Sequence, residues 1–451
     1  MSKIEVNTVE PQCGTTLTLG GSGDTVTLGS GASQSGFGRT GTVDWITTPK
    51  VTGDSPVTGV TGKGYFLNTT AGTITINLPA GAAGSIVSMA DYARTWDTYS
   101  VTVTPNGSEK IGGNNASATL STEGQAVTFV YVDSTQGWVN VQDSTSAVAG
   151  DTYMTASVSG TCNTLTTVDT NYKIAIFKNP GTFTVCSTSS NPTYNQVSYL
   201  VVAGGGGGGG VGPFSGTGGG AGGAGGFREL KSPATPYTAS PLDGYPTIAN
   251  RITVTATPYP IVVGGGGPSS VGCVGVSGSV SSFSTIPSAG GGGGGGVSCV
   301  SGQSGGSGGG STCNTTPGAG NTPPTTPAQG FGGAGYQYGG GGGGATEAGK
   351  GQSSPFNKTG GAGASTEITG AAVVRAGGGG GGGAGPPAPV PTCGGAGGSG
   401  GGGAGSPTPS GGNATSGTIN TGGGGGGGSV ADGTTGGAGG SGIVVIRYRF
   451  Q

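Results

Sequence analysis

The sequence predicts an all-β protein: small N-terminal β modules, then a sandwich of polyglycine II helices capped by short β-strands, with essentially no α-helix. Two observations predict this class. Glycine makes up 112 of the 451 residues, and four runs of seven glycines lie at 204–210, 290–296, 377–383 and 422–428. Short apolar segments, several of them with the alternating pattern of half-buried strands, fill the first half and reappear between the runs.

Shifts in composition divide the chain into four expected regions. Residues 1–50 form an N-terminal attachment segment, and residues 51–150 form a β-sandwich-like module with a linker. Residues 151–203 form a β-strand collar that leads into the glycine-rich domain, residues 204–451. Of the 112 glycines, 88 lie beyond residue 200, which is why the last region needs its own explanation.

Turn residues separate the predicted strands, because Gly, Pro, Asn and Asp favour tight chain reversals. Six strands are predicted in the sandwich-like module, at 64–68, 73–78, 85–90, 100–104, 126–133 and 138–142. Six more are predicted later, at 172–178, 181–185, 197–203, 259–263, 371–376 and 442–450. Two shorter alternations at 15–19 and 24–28 favour strands in the first region.

The glycine runs have three interpretations. Collagen is excluded, because the runs have no Gly-X-Y period and too little proline. A flexible linker would need neither apolar strands nor a repeated run length. A bundle of polyglycine II helices fits best: such a helix has three residues per turn and no internal hydrogen bonds, so its amides and carbonyls are free to bond laterally. The apolar strands would seal the ends of this slab.

Three expectations follow for residues between the runs. Alanines should face outward, because a methyl would push inner helices apart; these are Ala221, Ala224, Ala334 and Ala438. Aromatic residues at run ends should cap the slab; these are Phe227, Phe283 and Phe331. Long inserts should leave it as loops, at 311–330, 345–359, 386–393 and 405–421.

Composition also bounds the function. Sixteen basic and 18 acidic side chains give a formal net charge of −2, so we expect no nucleic-acid binding. No apolar stretch approaches the ~20 residues that cross a bilayer, so we expect no membrane insertion, and the N-terminus has no secretory-signal pattern. The chain has no histidine, and we expect no enzyme activity, cofactor or metal site. Asp91 and Asp97 flank Trp96 as a glycan-cleaving pair would, but a solvated loop explains them better.

The seven cysteines leave two alternatives. Their positions are 13, 162, 186, 273, 299, 313 and 393, without a CxxC spacing that would indicate zinc. Unpaired, small, buried cysteines are the preferred interpretation. Pairing after release from a reducing cytosol, for example Cys162 with Cys186, is the alternative.

Two parts of the chain resemble phage tail fibres. Residues 1–141 resemble the N-terminal part of fibre proteins from marine cyanobacterial phages, through MSKIEVNT, SGFGRTGTVDW and NGSEKI at residues 1–8, 35–45 and 106–111. Residues 171–450 resemble the glycine-rich domain at the ends of such fibres. The matching text there is YLVVA, GGAGGFR, SSFS and GIVVIRY at 199–203, 222–228, 281–284 and 442–448.

This resemblance implies a non-enzymatic adhesin of the virion, assembled in the host cytoplasm. In T-even-like fibre-tip adhesins, polyglycine helices form a rigid sandwich whose loops bind a host surface receptor. Fibres of this kind are usually homotrimers, and the N-terminus would dock to a tail or baseplate protein. This chain departs from those adhesins in carrying its own β modules. A purely structural virion protein, such as a baseplate spacer or capsid fibre, is the alternative, and an ice-binding protein is a more distant one.

Receptor contact is predicted for side chains on glycine-flanked loops. Aromatic rings give a large contact area at a low entropic cost, which favours Tyr336, Tyr338 and Phe356. Lys358 follows Phe356 closely, and Pro387 stiffens a proline-rich loop at 386–389. The same rings could instead cap the slab, and the sequence leaves that alternative open.

Overall fold

The computed structural model describes nine stretches of the chain: residues 43–144, 152–212, 217–270, 272–296, 299–351, 357–385, 393–407, 412–429 and 435–451. The chain divides into two compact units, an N-terminal unit (Met1–Gly150) and a C-terminal unit (Asp151–Gln451). None of the described residues lies in an α-helix, and the all-β class is confirmed. Short 3₁₀ helices occur at Thr52–Asp54, Pro192–Asn195 and Ile248–Asn250.

The N-terminal unit is a two-sheet sandwich. Its strands are β1 (Asp44–Val51), β2 (Val57–Thr58), β3 (Lys63–Asn68), β4 (Ile74–Asn77), β5 (Ile86–Asp91), β6 (Val101–Thr104), β7 (Ala118–Leu120), β8 (Ala126–Asp133) and β9 (Gly137–Ser144). In the described part of this unit, one sheet has the order β1-β3-β5-β8-β9 and the other the order β2-β4-β6-β7. The six strands predicted here are confirmed to within two residues at each end.

The first strands wind between the two sheets instead of forming hairpins. β1 pairs with β3 and β3 with β5 in parallel, while β2 pairs with β4 and β4 with β6 in parallel. The chain therefore coils around a common core before β7, β8 and β9 add antiparallel pairs. β1 begins inside the segment that the sequence assigned to attachment, so the first sheet starts before residue 51.

Side chains from both sheets fill the core of this unit. Leu67 and Met89 from one sheet and Ile74 and Val101 from the other are fully buried, and Trp138 packs with them. In β4 and β6 every second residue is buried, as the period of two requires. The apolar alternation thus determines which face is buried, whether neighbouring strands run parallel or antiparallel.

The C-terminal unit contains further sheets, and its strands include the second predicted group. They are β10 (Thr155–Ser159), β11 (Thr164–Thr167), β12 (Tyr172–Phe177), β13 (Gly181–Ser187), β14 (Ser198–Val202), β15 (Phe227–Leu230), β16 (Pro258–Val262), β17 (Ser281–Phe283), β18 (Ile286–Ser288), β19 (Ala364–Thr366), β20 (Val373–Arg375) and β21 (Ile443–Arg449). Among the described residues they form sheets ordered β10-β13-β16-β17-β18 and β11-β12-β21-β14-β15, with a β19-β20 ribbon. The six strands predicted here are also confirmed to within two residues.

The central strands β14 and β21 of the sheet β11-β12-β21-β14-β15 are buried on both faces. Tyr199 and Val201 of β14 enter a core shared with the sheet β10-β13-β16-β17-β18. Leu200 and Val202 enter a second core on the opposite face. Alanines at the ends of glycine runs also belong to that second core: Ala224, Ala345 and Ala376. This sheet therefore caps the glycine-rich region, as predicted.

The three residues expected to cap the slab have different environments. Phe227 is in the core that contacts the glycine runs, and Phe283 is in the core between the two sheets. Phe331 is 41% exposed, so its expected role as a cap is wrong. Among the described residues, no helix has the length and apolar character that spanning a membrane requires.

The structure also corrects the cysteine assignment. Cys299 and Cys313 form a disulfide. Cys162 and Cys186 are exposed and do not pair with each other, and Cys273 and Cys393 are exposed too, so the expectation of buried thiols is wrong for these residues. The spacing of the cysteines did not indicate the pair that forms.

Candidate functional site

The glycine runs bond laterally with a period of three residues. In the run 204–210, the amide of Gly206 donates to the carbonyl of Gly223 at 2.8 Å, and that of Gly209 donates to Gly220 at 2.9 Å. Amides three residues apart therefore point to the same neighbour. This is the pattern that a helix with three residues per turn and no internal hydrogen bonds produces.

The other amides of this run contact two further neighbours in the same way. Gly205 and Gly208 donate to the segment 437–440, and the remaining amides donate to the segment 273–279. Its carbonyls accept from amides of the segments 291–294 and 425–428, and from Gly267. Within the described residues, the run 204–210 thus has six hydrogen-bonded neighbours. We call the segments between residues 204 and 441 that bond in this way the glycine lattice.

Most of the lattice permits only glycine. A β-carbon on Gly208 would overlap the carbonyl oxygen of Gly426, and one on Gly206 would overlap that of Gly292. Gly265 is different, because a β-carbon there would meet nothing within 4 Å. Backbone atoms therefore form the core of this region, and its tolerance for side chains depends on position.

Two expectations about this region are wrong. Ala221 and Ala224 are fully buried instead of facing outward. They lie three residues apart, so a three-residue turn places both methyls on one side of the segment, and Ala224 joins the apolar cap. The insert 345–359 does not wholly leave the lattice either, because the carbonyls of Glu347 and Lys350 accept lattice amides.

The lattice has two chemically different ends. At the sheet end, β14 leads into Gly204, and β15 begins after Gly226. At the far end, the runs terminate at Gly210, Gly296 and Gly383. These runs are parallel and their hydrogen bonds repeat every three residues, so the three ends lie at the same height along the lattice. The far end is where the lattice presents turns instead of sheets.

Two of the predicted contact residues lie together at the far end. Tyr336 and Tyr338 immediately precede the run that begins at Gly339. Their rings pack edge to face, with centroids 5.6 Å apart and an interplanar angle of 82°. Tyr336 is buried, Tyr338 is half-buried, and Gln337 between them is exposed. The tyrosine pair is therefore an ordered part of the surface.

The disulfide loop is bonded to this tyrosine pair. The amide of Cys313 donates to the carbonyl of Gln337 at 3.1 Å, and the hydroxyl of Thr312 donates to the carbonyl of Gly296 at 3.1 Å. Cys299, the disulfide partner, is exposed. We call residues 299, 312–313 and 336–338 the far-end surface. The sequence predicted its tyrosines and missed its disulfide and Gln337.

Lys358, another predicted contact residue, lies inside the lattice. Its side chain is 1% exposed, and its ammonium donates to the carbonyl of Gly382 at 2.6 Å. Burial lowers the pKa of Lys358 to about 8, against a smaller opposing effect from Cys393. Its ammonium therefore ties two lattice segments near the far end and offers no exposed surface. Phe356 and Pro387 lie outside the described residues.

A buried carboxylate elsewhere is accounted for by structural bonds. Glu229 of β15 is 2% exposed and accepts hydrogen bonds from the amide of Ser240 at 2.8 Å and from the hydroxyl of Thr366. Burial raises the pKa of the Glu229 carboxyl, although these bonds oppose the shift. The carboxylate thus connects β15 to β19 and to the loop after β15.

Comparison with known protein families identifies the C-terminal part of the chain. A family model described as a glycine-rich domain matches residues 178–449, from the first residue of the β12–β13 turn to the last residue of β21. The match therefore covers the lattice together with strands that cap it. No curated protein matches the chain.

Proposed function

The chain belongs to the glycine-rich domain family, and from that premise we propose that it is a non-enzymatic adhesin, a phage tail fibre or receptor-binding protein. The observation that carries the proposal is the far-end surface, where Tyr336, Tyr338 and the Cys299–Cys313 disulfide are held together by a lattice of backbone hydrogen bonds. A host surface receptor, either protein or glycan, would contact this surface.

The lattice supports this role because it fixes the far-end turns before binding. An ordered surface loses less conformational entropy on binding than a mobile loop does. Tyrosine adds an apolar ring and a hydroxyl at a low entropic cost, which suits both protein and sugar ligands. The half-buried Tyr338 and the exposed Gln337 are the described side chains that we assign to receptor contact.

The remaining parts of the proposal concern assembly. The N-terminal segment would dock to a tail or baseplate protein, three chains would form a homotrimeric fibre, and the fibre would be part of the virion after assembly in the host cytoplasm. The support is the resemblance of residues 1–141 to tail fibres. The low net charge supports a function without nucleic-acid binding.

The decisive experiment compares two tyrosine variants in a phage that carries this chain. Tyr338→Ala removes a ring from the far-end surface, and we expect adsorption to host cells to fall at least about tenfold, the effect of losing an aromatic contact. Tyr92→Ala is the matched control, since Tyr92 is 55% exposed in the N-terminal unit. Equal adsorption by both variants and the parent phage would contradict the proposal that the far-end surface contacts the receptor.

A purely structural virion protein is the second candidate, and the lattice itself favours it. A slab stiffened by lateral hydrogen bonds could act as a spacer without any receptor. Electron microscopy of virions separates the two, with the label on Cys393, an exposed thiol near Lys358, in a variant in which Cys13, Cys162, Cys186 and Cys273 are replaced by serine. A label at a free distal tip supports the adhesin, and a label enclosed within the baseplate or capsid supports the spacer.

A further inference from the structure

A cavity of about 440 Å³ lies at the sheet end of the C-terminal unit, away from the far-end surface. One wall consists of the turns after β10 and β12. The other consists of the start of a lattice segment, the turn that precedes the run 422–428, and Ser441 just before β21. The lining residues that matter here are Cys162, Lys178, Asn179, Gly265, Ile419 and Asn420. The far-end function makes no use of this cavity.

Side-chain hydrogen bonds hold the first wall in place. The side-chain oxygen Oδ1 of Asn163 accepts hydrogen bonds from the backbone amides of Lys178 and Asn179, at 3.1 and 3.2 Å. The side-chain nitrogen Nδ2 of Asn163 donates to the backbone carbonyl of Ser159 at 2.9 Å. The Nδ2 of Asn179 donates to the backbone carbonyl of Thr161 at 3.1 Å. The two turns are therefore fixed to each other, and Lys178 has a defined position at the cavity.

The second wall is equally ordered and leaves open space. The amide of Asn420 donates to the hydroxyl of Ser441 at 2.9 Å, which fixes the turn that carries Ile419. Ile419 is 70% exposed and gives this side an apolar surface. The Gly265 α-carbon faces space that a β-carbon could occupy without any contact within 4 Å.

The lining has the chemistry of a site for one negative charge with several hydroxyls. Lys178 is exposed and forms no salt bridge with any described residue. An ammonium and a carboxylate form a charge-assisted hydrogen bond, stronger than a neutral one. The side-chain amides of Asn179 and Asn420 can each donate and accept hydrogen bonds, and sugar hydroxyls need partners of both kinds. The apolar side of a pyranose ring would lie against Ile419.

We propose that this cavity binds a carboxylated sugar residue, a uronic acid, with its carboxylate on Lys178 and its ring against Ile419. This goes beyond the proposed receptor contact, since it is a second site at the opposite end of the lattice, and it holds whether or not the far-end surface binds a receptor. A polymer that contains uronic acids would then be able to contact the protein at the sheet end.

The test titrates the full-length protein with glucuronate and follows binding by calorimetry and by amide chemical shifts. We expect saturable binding of glucuronate, with glucose and inorganic phosphate binding at least about tenfold more weakly, because glucose lacks the charge and phosphate lacks the ring. The shifts should fall on residues around Lys178 and Asn420. Absence of saturable glucuronate binding, or equal binding of glucose or phosphate, would overturn the proposal.

Two variants assign the binding to this cavity. Lys178→Met should weaken glucuronate binding at least about tenfold, whereas Lys350→Met, which removes an exposed lysine outside the cavity lining, should leave it unchanged. Gly265→Val should narrow the site, and we expect the lattice to stay intact because a β-carbon at this position meets no atom within 4 Å. Unchanged binding by Lys178→Met would contradict the assignment even if Gly265→Val failed to fold.

Discussion

The N-terminal sandwich and the glycine lattice form their cores in opposite ways. In the sandwich, side chains such as Leu67 and Trp138 fill the space between two sheets, and each strand pairs only with strands of its own sheet among the described residues. In the lattice, backbones of neighbouring segments contact directly on all sides, and the amides of Gly206 and Gly209 bond across the interior. Side chains fill the core of the sandwich, whereas the absence of side chains lets the backbones of the lattice contact each other directly.

The difference determines which substitutions each region tolerates. A side-chain core loses stability when atoms are removed, because a cavity remains. A backbone core loses stability when atoms are added, because carbonyl oxygens occupy the space where a β-carbon would go. The four predictions below exploit this opposition, beginning with the largest expected effect.

Adding a side chain inside the lattice should have the largest effect. Gly208→Val places a branched side chain against the carbonyl of Gly426, and we expect a loss of more than about 3 kcal/mol, enough to abolish cooperative melting of the C-terminal unit. Circular dichroism should lose its left-handed polyproline-type signal. Gly265→Val is the matched control and should melt like the parent, so equal behaviour of the two variants would contradict the lattice geometry.

Removing a side chain from the sandwich should destabilise only the N-terminal unit. Leu67→Ala deletes a fully buried side chain, and we expect a loss of about 2–5 kcal/mol. All three tryptophans, at positions 45, 96 and 138, lie in this unit, so tryptophan fluorescence during denaturation reports on it alone. A fluorescence midpoint equal to that of the parent would show that Leu67 is not part of a packed core.

Opening the disulfide should have a moderate effect at the far end. Cys299 and Cys313 are 14 residues apart, and closing a loop of that length stabilises a fold by about 3 kcal/mol. We expect the melting temperature of the C-terminal unit to fall when a thiol reductant is added. The double variant Cys299→Ser with Cys313→Ser should melt at the lower temperature with or without reductant, and an unaffected parent would contradict the pairing.

Titrating Lys358 should have the smallest effect, with a defined sign. Its pKa is about 8 in the folded chain, below the ordinary 10.5, so below pH 8 both states carry the proton and the cost of burying the charge is fully present. Between pH 8 and 10 the folded state releases this proton first, so the free energy of unfolding should rise by about 2 kcal/mol. Lys358→Met should flatten this rise in urea titrations, and a rise equal to the parent's would refute the burial of the ammonium.

The sequence predicted the fold better than it predicted the site. Alternation located strands such as β8, and runs of repeated length between strands predicted the lattice. Short polar strands were missed, as with β11 (TLTT) and β19 (AST), because their position depends on partners and not on local pattern. The parallel winding of β1 to β6 was missed for a related reason: alternation is the same in both kinds of sheet.

Only part of the candidate site was predicted. The local sequence does not determine which segments of the lattice lie side by side. Every seven-glycine run is identical, so no run specifies which segments lie beside it. Tyr336 and Tyr338 were proposed from residue type alone, and their role in receptor contact stays a prediction. The Cys299–Cys313 pair depends on which turns meet at the far end. Lys358 looked like a surface residue, and only the packing of its neighbours places it inside.

Amide hydrogen exchange of the full-length protein tests the central claim most directly, namely that glycine backbones form a hydrogen-bonded core. The account predicts that the amides of Gly206 and Gly209, which donate to Gly223 and Gly220, exchange as slowly as those of the buried strand β14. Exchange of Gly206 and Gly209 at the rate of an unfolded chain, while β14 stays protected, would contradict the account.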